Sequence, residues 1–315
     1  MAVGSAFGVL VSSLSGSSYT VSLVGVDGRV VSSSIASTPG AVTCANAAAA
    51  VVPLPVSTSN TRVYFMDALG VVRFLAPNGD TGKATTVPIG PARRSMFAVS
   101  PDDQRIAVIV DDFTSNGATT RLYVEDLNGG GHHVDPYSQS NAYTLWPTGW
   151  HGTSNLVVAK VPACTQGGGP FCCGPQELHV VDPTTAFRRF TIGGPTCVLA
   201  GPPSPAGAVC ETNAQASVLT WTGTTTSSVA IPGYTPAYLS PDGTQVAVVS
   251  NTAPTTTLFP SNGVVNLVAC GWIDGTHVLS GGDAQLQPRV GDVTTGNIAP
   301  VLAQGDCAGR IPGGL

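Results

Sequence analysis

Short apolar runs recur along the chain, each stopped by Asp, Gly or Pro, and the runs come in pairs. Val21-Ser22-Leu23-Val24-Gly25-Val26-Asp27-Gly28-Arg29-Val30-Val31 shows the pattern: an apolar strand, an Asp, a Gly turn and a second strand. It returns as Val63–Asp67 before Val71–Leu75, as Leu122–Asp126 before His132–Val134, and as Leu178–Asp182 before Phe187–Ile192. Val218–Thr222 before Ser228–Ile231 and Thr257–Pro260 before Val264–Val268 keep the hairpin but lose the Asp. Arg289–Asp292 before Ile298–Leu302 restores it. The anchor positions 27, 67, 126, 182, 222, 260 and 292 are separated by 40, 59, 56, 40, 38 and 32 residues. Insertions, chiefly Cys164–Gly174, account for the two long gaps.

A second element precedes several of these hairpins. Ala98-Val99-Ser100-Pro101-Asp102-Asp103-Gln104-Arg105-Ile106-Ala107-Val108 matches Tyr238-Leu239-Ser240-Pro241-Asp242-Gly243-Thr244-Gln245-Val246-Ala247-Val248. Pro203–Val209 is a worn copy, and Gly149-Trp150-His151-Gly152-Thr153 and Gly271–Thr276 fill the same slot. Pro fixes φ and Asp-Gly supplies the turn, so each copy predicts a tight connection between two strands. The clearest unit runs from Met96 to Asp135. Its strands are predicted at Met96–Ser100, Arg105–Val110, Arg121–Glu125 and His132–Val134, with Asp111–Thr120 as a turn.

The strand after the tight turn is almost continuously apolar: Ile106–Val110, Leu156–Ala159, Val246–Val249. A sheet open to water on one face alternates instead. A sheet pressed between two neighbours is covered on both faces, and continuous runs follow. An immunoglobulin-type sandwich calls for alternation and a Cys–Trp–Cys arrangement, and neither is evident. The mean anchor spacing of about 44 residues falls within the ~40–50 residue period of propeller blades. The expectation is an all-β, seven-bladed β-propeller of four-stranded antiparallel blades, with a six- or eight-bladed ring as the alternative. A single domain spans 1–315, with blades at roughly 2–36, 41–90, 94–135, 142–192, 195–232, 234–268 and 269–303. The first blade shows one clear strand, Phe7–Val11, before its hairpin and so lacks an innermost strand. Residues 304–315, around Arg310-Ile311, are expected to supply that strand and close the ring.

Composition sharpens this picture. Charged residues make up 10 % of the 315 positions, against 38 Gly and 25 Pro. Strong helix formers such as Lys and Glu are scarce, which favours strands and turns. A net charge of −5, with no basic run longer than Arg93-Arg94 or Arg188-Arg189, excludes a nucleic-acid footprint. No apolar run approaches the ~18–20 residues needed to span a bilayer. The start lacks a basic n-region and reads as a strand. The chain is therefore expected to be a mature secreted, periplasmic or cell-surface protein whose leader is absent. Nothing in it sets an oligomeric state.

The Ser-Pro-Asp-Gly turn and the strand ending in Asp before a Gly turn resemble the TolB-like, WD-repeat-like propeller repeat. The resemblance covers most of the chain and is strong in the third and sixth blades. It implies a folding unit shared by interaction platforms, surface and periplasmic binding proteins and peptidase-appended domains, and it implies no single activity. Very low charge, eight cysteines and the Cys-rich insertion set this chain apart.

An even cysteine count fits an oxidising compartment. Cys197 and Cys210 flank the worn turn nearly symmetrically, which places them on paired strands within bridging reach. Cys164, Cys172 and Cys173 share one Gly-rich loop and predict a further bridge, with Cys164 and Cys172 as its candidates. Cys44, Cys270 and Cys307 are left to take the remaining thiol. A zinc site from Cys164, Cys172, Cys173 and His179 is disfavoured, because adjacent cysteines chelate one ion poorly and His179 sits mid-strand. No metal and no cofactor is predicted.

Candidate chemistry is placed on the face shared by second-to-third-strand loops and inter-blade loops. Binding candidates are Arg93, Arg94, Asp112, Phe113, Tyr137, Tyr143, Phe171 and Tyr234, and the expected ligand is a protein or glycan. Catalytic candidates for a hydrolase or lyase are Asp111, Glu211 and Asp283 with Arg93. Each has a plainer reading: Asp111-Asp112 as a capped loop, Arg93-Arg94 as their ion-pair partners. Glu211 stands out through scarcity, and acid–base work needs a second carboxylate or His nearby. His132-His133 read as an exposed last strand, and Trp150 and Trp272 as core residues before sugar platforms. The hydrolase elbow, the zinc-protease helix and the phosphate loop are absent as motifs. A structural surface protein is the third class that low charge admits.

Overall fold

The structure, a computed structural model, describes residues 5–13, 17–40, 42–43, 49–50, 55–114, 117–141, 143–162 and 177–315. These residues form seven four-stranded antiparallel sheets and one two-stranded piece, Val42–Thr43 with Ala49–Ala50; no helix occurs among them. In blades 2 to 7 the chain runs from the innermost strand outwards. Blade 2 comprises Val56–Thr58, Val63–Met66, Val71–Leu75 and Thr81–Thr86, and blade 3 Arg93–Val99, Arg105–Thr114, Gly117–Asp126 and Val134–Asn141. Blade 4 comprises Tyr143–His151, Asn155–Pro162, Glu177–Val181 and Arg188–Gly193, and blade 5 Val198–Leu199, Ala208–Glu211, Gln215–Leu219 and Thr225–Ala230. Blade 6 comprises Ala237–Leu239, Val246–Val249, Thr256–Phe259 and Val264–Val265, and blade 7 Gly271–Trp272, His277–Leu279, Arg289–Asp292 and Ile298–Pro300.

Blade 1 is assembled from sequence-distant pieces. Asp306–Ile311 is its innermost strand and pairs antiparallel with Phe7–Ser13, setting Gly8 opposite Arg310 and Val11 opposite Asp306. Ser18–Gly25 and Val30–Ser37 complete the sheet.

Seven hydrophobic clusters hold the ring, one between each pair of neighbouring blades. Residues two apart on a strand share a face, so a fully apolar second strand serves two clusters at once. Ile106 and Val108 pack towards blade 2, while Ala107 and Ile109 pack towards blade 4. The blade interiors are thus sandwich fillings, the physical reason for their unbroken apolar runs.

The Ser-Pro-Asp turns of blades 3 and 6 share the same hydrogen bonds. Ser100 and Ser240 donate their hydroxyls to Asp102 and Asp242 at 2.6 and 2.7 Å. The same hydroxyls accept the N–H of Arg105 and Gln245 at 2.9 and 3.0 Å. The turn needs a left-handed residue, which is Gly243 (φ 73°) in blade 6 and Asp103 (φ 60°) in blade 3. Asp103 accepts hydrogen bonds from Thr61 and Tyr64 of blade 2, which hold it in that conformation. The recurring hairpin Asp is a backbone cap: Asp67, Asp182 and Asp292 each accept two N–H groups of the turn that follows.

Blade 3 departs from its sequence-based outline in two places. The stretch Asp111–Thr120 is not a turn, because the second strand continues to Thr114 and the third begins at Gly117. Cross-strand pairs extend the ladder: Arg93 lies opposite Asp112, and Thr119 bonds Ser140. The outer strand is Val134–Asn141, and His132 occupies the preceding turn with φ 48°. In blade 6 the outer strand ends at Val265, short of Val268.

Candidate functional site

The inner strands enclose a channel that opens into a cavity of about 380 Å³ at the end carrying the tight turns. Every blade contributes to its wall, and the wall is mainly apolar. Met96 and Phe97 come from blade 3, Trp146 from blade 4, Pro203 and Pro205 from blade 5, Tyr238 from blade 6 and Trp272 from blade 7. Ala308–Arg310 of the closing strand and Leu315 complete it. Leu315 is held by its N–H to the Trp150 carbonyl (2.7 Å) and by His151 Nδ1 to its oxygen (2.7 Å).

Among the described residues, none of the binding or catalytic candidates read from the sequence lines this cavity, whereas Trp272, read there as a core residue, does. Arg93 and Asp112 form a two-pronged ion pair at 2.5 and 3.1 Å, each side chain about half exposed. Arg94 is buried and donates to the Gly40 carbonyl in the connector from blade 1 to blade 2, spanning a blade. Phe113 is half-buried in the second strand of blade 3, opposite Ala118. Tyr137 sits on the outer strand of blade 3 and donates to Gln139 at 2.8 Å. Tyr143 opens the inner strand of blade 4 with the Lys160 ammonium 4.6 Å from its ring centre. Tyr234 is 58 % exposed in the loop before blade 6. Asp283 caps its own turn through the N–H groups of Gln285 and Leu286. Phe171, Cys164 and Cys172 lie outside the described residues.

Two of the candidate acids are buried. Asp111 shows no exposed surface and accepts the Thr120 hydroxyl on Oδ1, while Oδ2 and the facing Arg94 Nε have no partner among the described residues. Burial pushes its carboxyl up to about 7. Glu211, 3 % exposed, accepts the Thr235 N–H at 3.0 Å on Oε2 and leaves Oε1 without a partner among the described residues. Burial pushes it, too, up to about 7. Asp111 shares a strand face with Ala107 and Ile109, towards blade 4; Glu211 shares one with Val209, towards blade 6. The two carboxyls therefore lie in different blade interfaces and do not converge.

Comparison with solved structures agrees on the architecture. Dihydro-heme d1 dehydrogenase NirN in complex with DHE matches 98 % of this chain and 75 % of its own, with TM-score 0.52 and 14 % identity. Prolyl oligopeptidase B from Galerina marginata, bound to a 35mer substrate, matches 92 % of this chain at TM-score 0.47 and 12 % identity. This chain spans 46 % of that enzyme's length. The likeness is one of fold. No protein-family model matches the chain, and no curated protein matches it.

Two features of the channel were not anticipated from the sequence. One is Arg310, an isolated cation in the closing strand that lines the cavity. The other is the disulfide Cys270–Cys307 (Cα–Cα 5.7 Å), which ties the start of blade 7 to that strand across the seam of the ring. Its signal lay in chain closure: once 304–315 joins blade 1, Cys307 neighbours blade 7. Cys197–Cys210 bridges adjacent strands of blade 5, as its symmetric flanking of the turn predicted. His179, mid-strand, contacts Glu177 at 2.9 Å and Arg188 at 3.3 Å. No cluster of His, Cys, Asp or Glu suited to a metal occurs among the described residues.

Proposed function

We propose that this chain is a ligand-binding β-propeller of the TolB-like or WD-repeat-like kind, secreted, periplasmic or cell-surface, which takes up part of a protein or glycan at its central channel. The observation that carries this reading is the cavity itself. Its volume of about 380 Å³ and its wall of Met96, Trp146, Tyr238 and Trp272 match the ~300–1,000 Å³ apolar pockets that bind ligands. Two disulfides support an oxidising compartment. The exposed Tyr234 and the half-buried Phe113, at the opposite end of the blades, are proposed as secondary contacts for a large partner.

The rival reading as a hydrolase draws on the raised carboxyls of Asp111 and Glu211, since perturbed acids gather at catalytic sites. Their placement speaks against it. Each faces a packed blade interface, neither lines the cavity, and among the described residues the wall carries no Asp or Glu. Peptide and glycan arrays probed with the folded protein test the two readings. Binding is expected to be saturable, unaccompanied by turnover, and lost in Thr148→Trp, which fills the cavity. Turnover of a bound species that disappears in Asp111→Asn or Glu211→Gln would overturn the reading.

A further inference from the structure

Among the described residues, Arg310 is the one charged side chain in the cavity wall, and none of them neutralises it at contact distance. The acid whose charge reaches it, Asp274, is committed to its own turn. That carboxylate accepts the N–H groups of Thr276 and His277, both at 2.8 Å, and contacts His277 Nδ1 at 2.9 Å. The remaining attraction between Asp274 and Arg310 is long-range. Gly8 faces Arg310 across the strand pair and offers no side chain. A partly buried guanidinium keeps its charge and its five donors, and donors left unmet in an apolar surround are costly.

The rest of the wall has the same bias. The Tyr238 hydroxyl and the Trp146 indole N–H have no hydrogen-bond partner among the described residues, and both residues line the cavity. Thr148 and Ser204 spend their hydroxyls on the carbonyls of Val157 and Ser240. Among the described residues the wall therefore offers unmet donors and a cation within an aromatic and aliphatic cavity, and no side-chain anion. A complementary ligand is an anion at one end and apolar along its length.

We propose that the channel binds an apolar carboxylate, its oxygens held by the Arg310 guanidinium and its body packed against Met96, Trp146 and Trp272. The carboxylate belongs to a free aliphatic or aromatic acid, or to the C-terminus of an apolar peptide; both present the same planar acceptor to the Arg fork. This inference rests on the channel being the binding site.

Calorimetric titration with matched pairs tests it: octanoate against octanamide, and a C-terminally free Phe-Leu peptide against its amide. Each acid is expected to bind roughly tenfold or more tighter than its amide, the contribution of a charge-assisted hydrogen bond. Arg310→Gln is expected to erase that difference while the amides bind as before, and Arg310→Lys to restore part of it. Circular dichroism melting confirms that the variants fold, and the acid–amide comparison on the unaltered protein needs no variant. Whichever acid binds tighter identifies the source of the carboxylate. Equal binding of acid and amide, lost in Thr148→Trp, would overturn the carboxylate inference and leave channel binding standing. Absence of binding by every probe would overturn both.

Discussion

Trp272 of blade 7 donates its indole N–H to the carbonyl of Tyr238 in blade 6 at 2.9 Å, and Trp150 of blade 4 makes the same bond to Ala98 in blade 3. Tyr238 and Ala98 occupy the same place, two residues before the Ser of the Ser-Pro-Asp turn. A tryptophan of one blade is thus latched to the turn strand of the blade before it. Trp272→Phe keeps most of the ring but removes one of the two donors on the Tyr238 carbonyl, which keeps its ladder pairing with Ala247, at a cost of roughly 0.5–1.5 kcal/mol. Trp150→Phe costs at least as much, since Trp150 is fully buried beneath the Arg105 guanidinium. Urea denaturation checks both; an unchanged midpoint would show that the latch contributes nothing.

The seam between blades 7 and 1 carries a covalent tie with a sequence separation of 37 residues. Closing a loop of that length in the unfolded chain is worth roughly 4 kcal/mol on the chain-entropy account. Cys307→Ser, or Cys270→Ser, is expected to lower the melting temperature markedly, and more than Cys210→Ser, whose loop is shorter. Thermal melts of the three variants decide the order.

Asp111 and Glu211 give stability a pH dependence of definite sign. Both fold with carboxyls raised to about 7 by burial, above the ordinary unfolded value near ~4. The native state therefore binds protons more tightly than the unfolded state. Their stabilising contribution is complete below about 4, fades as pH rises and is lost above about 7. His133, raised by its bond to Glu125, acts in the same direction over a higher window, favouring the fold below its own folded value. The melting temperature is expected to fall between pH 5.5 and 8, other groups aside. Asp111→Asn with Glu211→Gln should raise it at pH 8 and flatten the profile. A profile unchanged by the double substitution would refute the assignment.

Tight turns were the most legible part of the sequence, because Ser100-Pro101-Asp102 and Ser240-Pro241-Asp242 encode their geometry locally. The blade count followed from hairpin spacing and the two-faced apolar strands. Asp111–Thr120 carries the composition of a turn, with Asp-Asp at its start and Gly near its middle. Pairing of Asp112 with Arg93 and of Thr119 with Ser140 extends the second strand to Thr114 and starts the third at Gly117. The channel was illegible for a different reason. Its wall draws residues from seven blades, and what unites Met96, Trp146, Tyr238 and Arg310 is radial position about an axis that no local pattern encodes.

The central claim, that the channel is a ligand site, is tested most directly by the binding stoichiometry of anilinonaphthalene sulfonate, an apolar anion whose emission rises in dry surroundings. The account predicts one saturable site on the native protein, quenching of Trp146 or Trp272 emission in step with it, and loss of both signals in Thr148→Trp at unchanged melting temperature. Binding that is absent, unsaturable or indifferent to that substitution would contradict it.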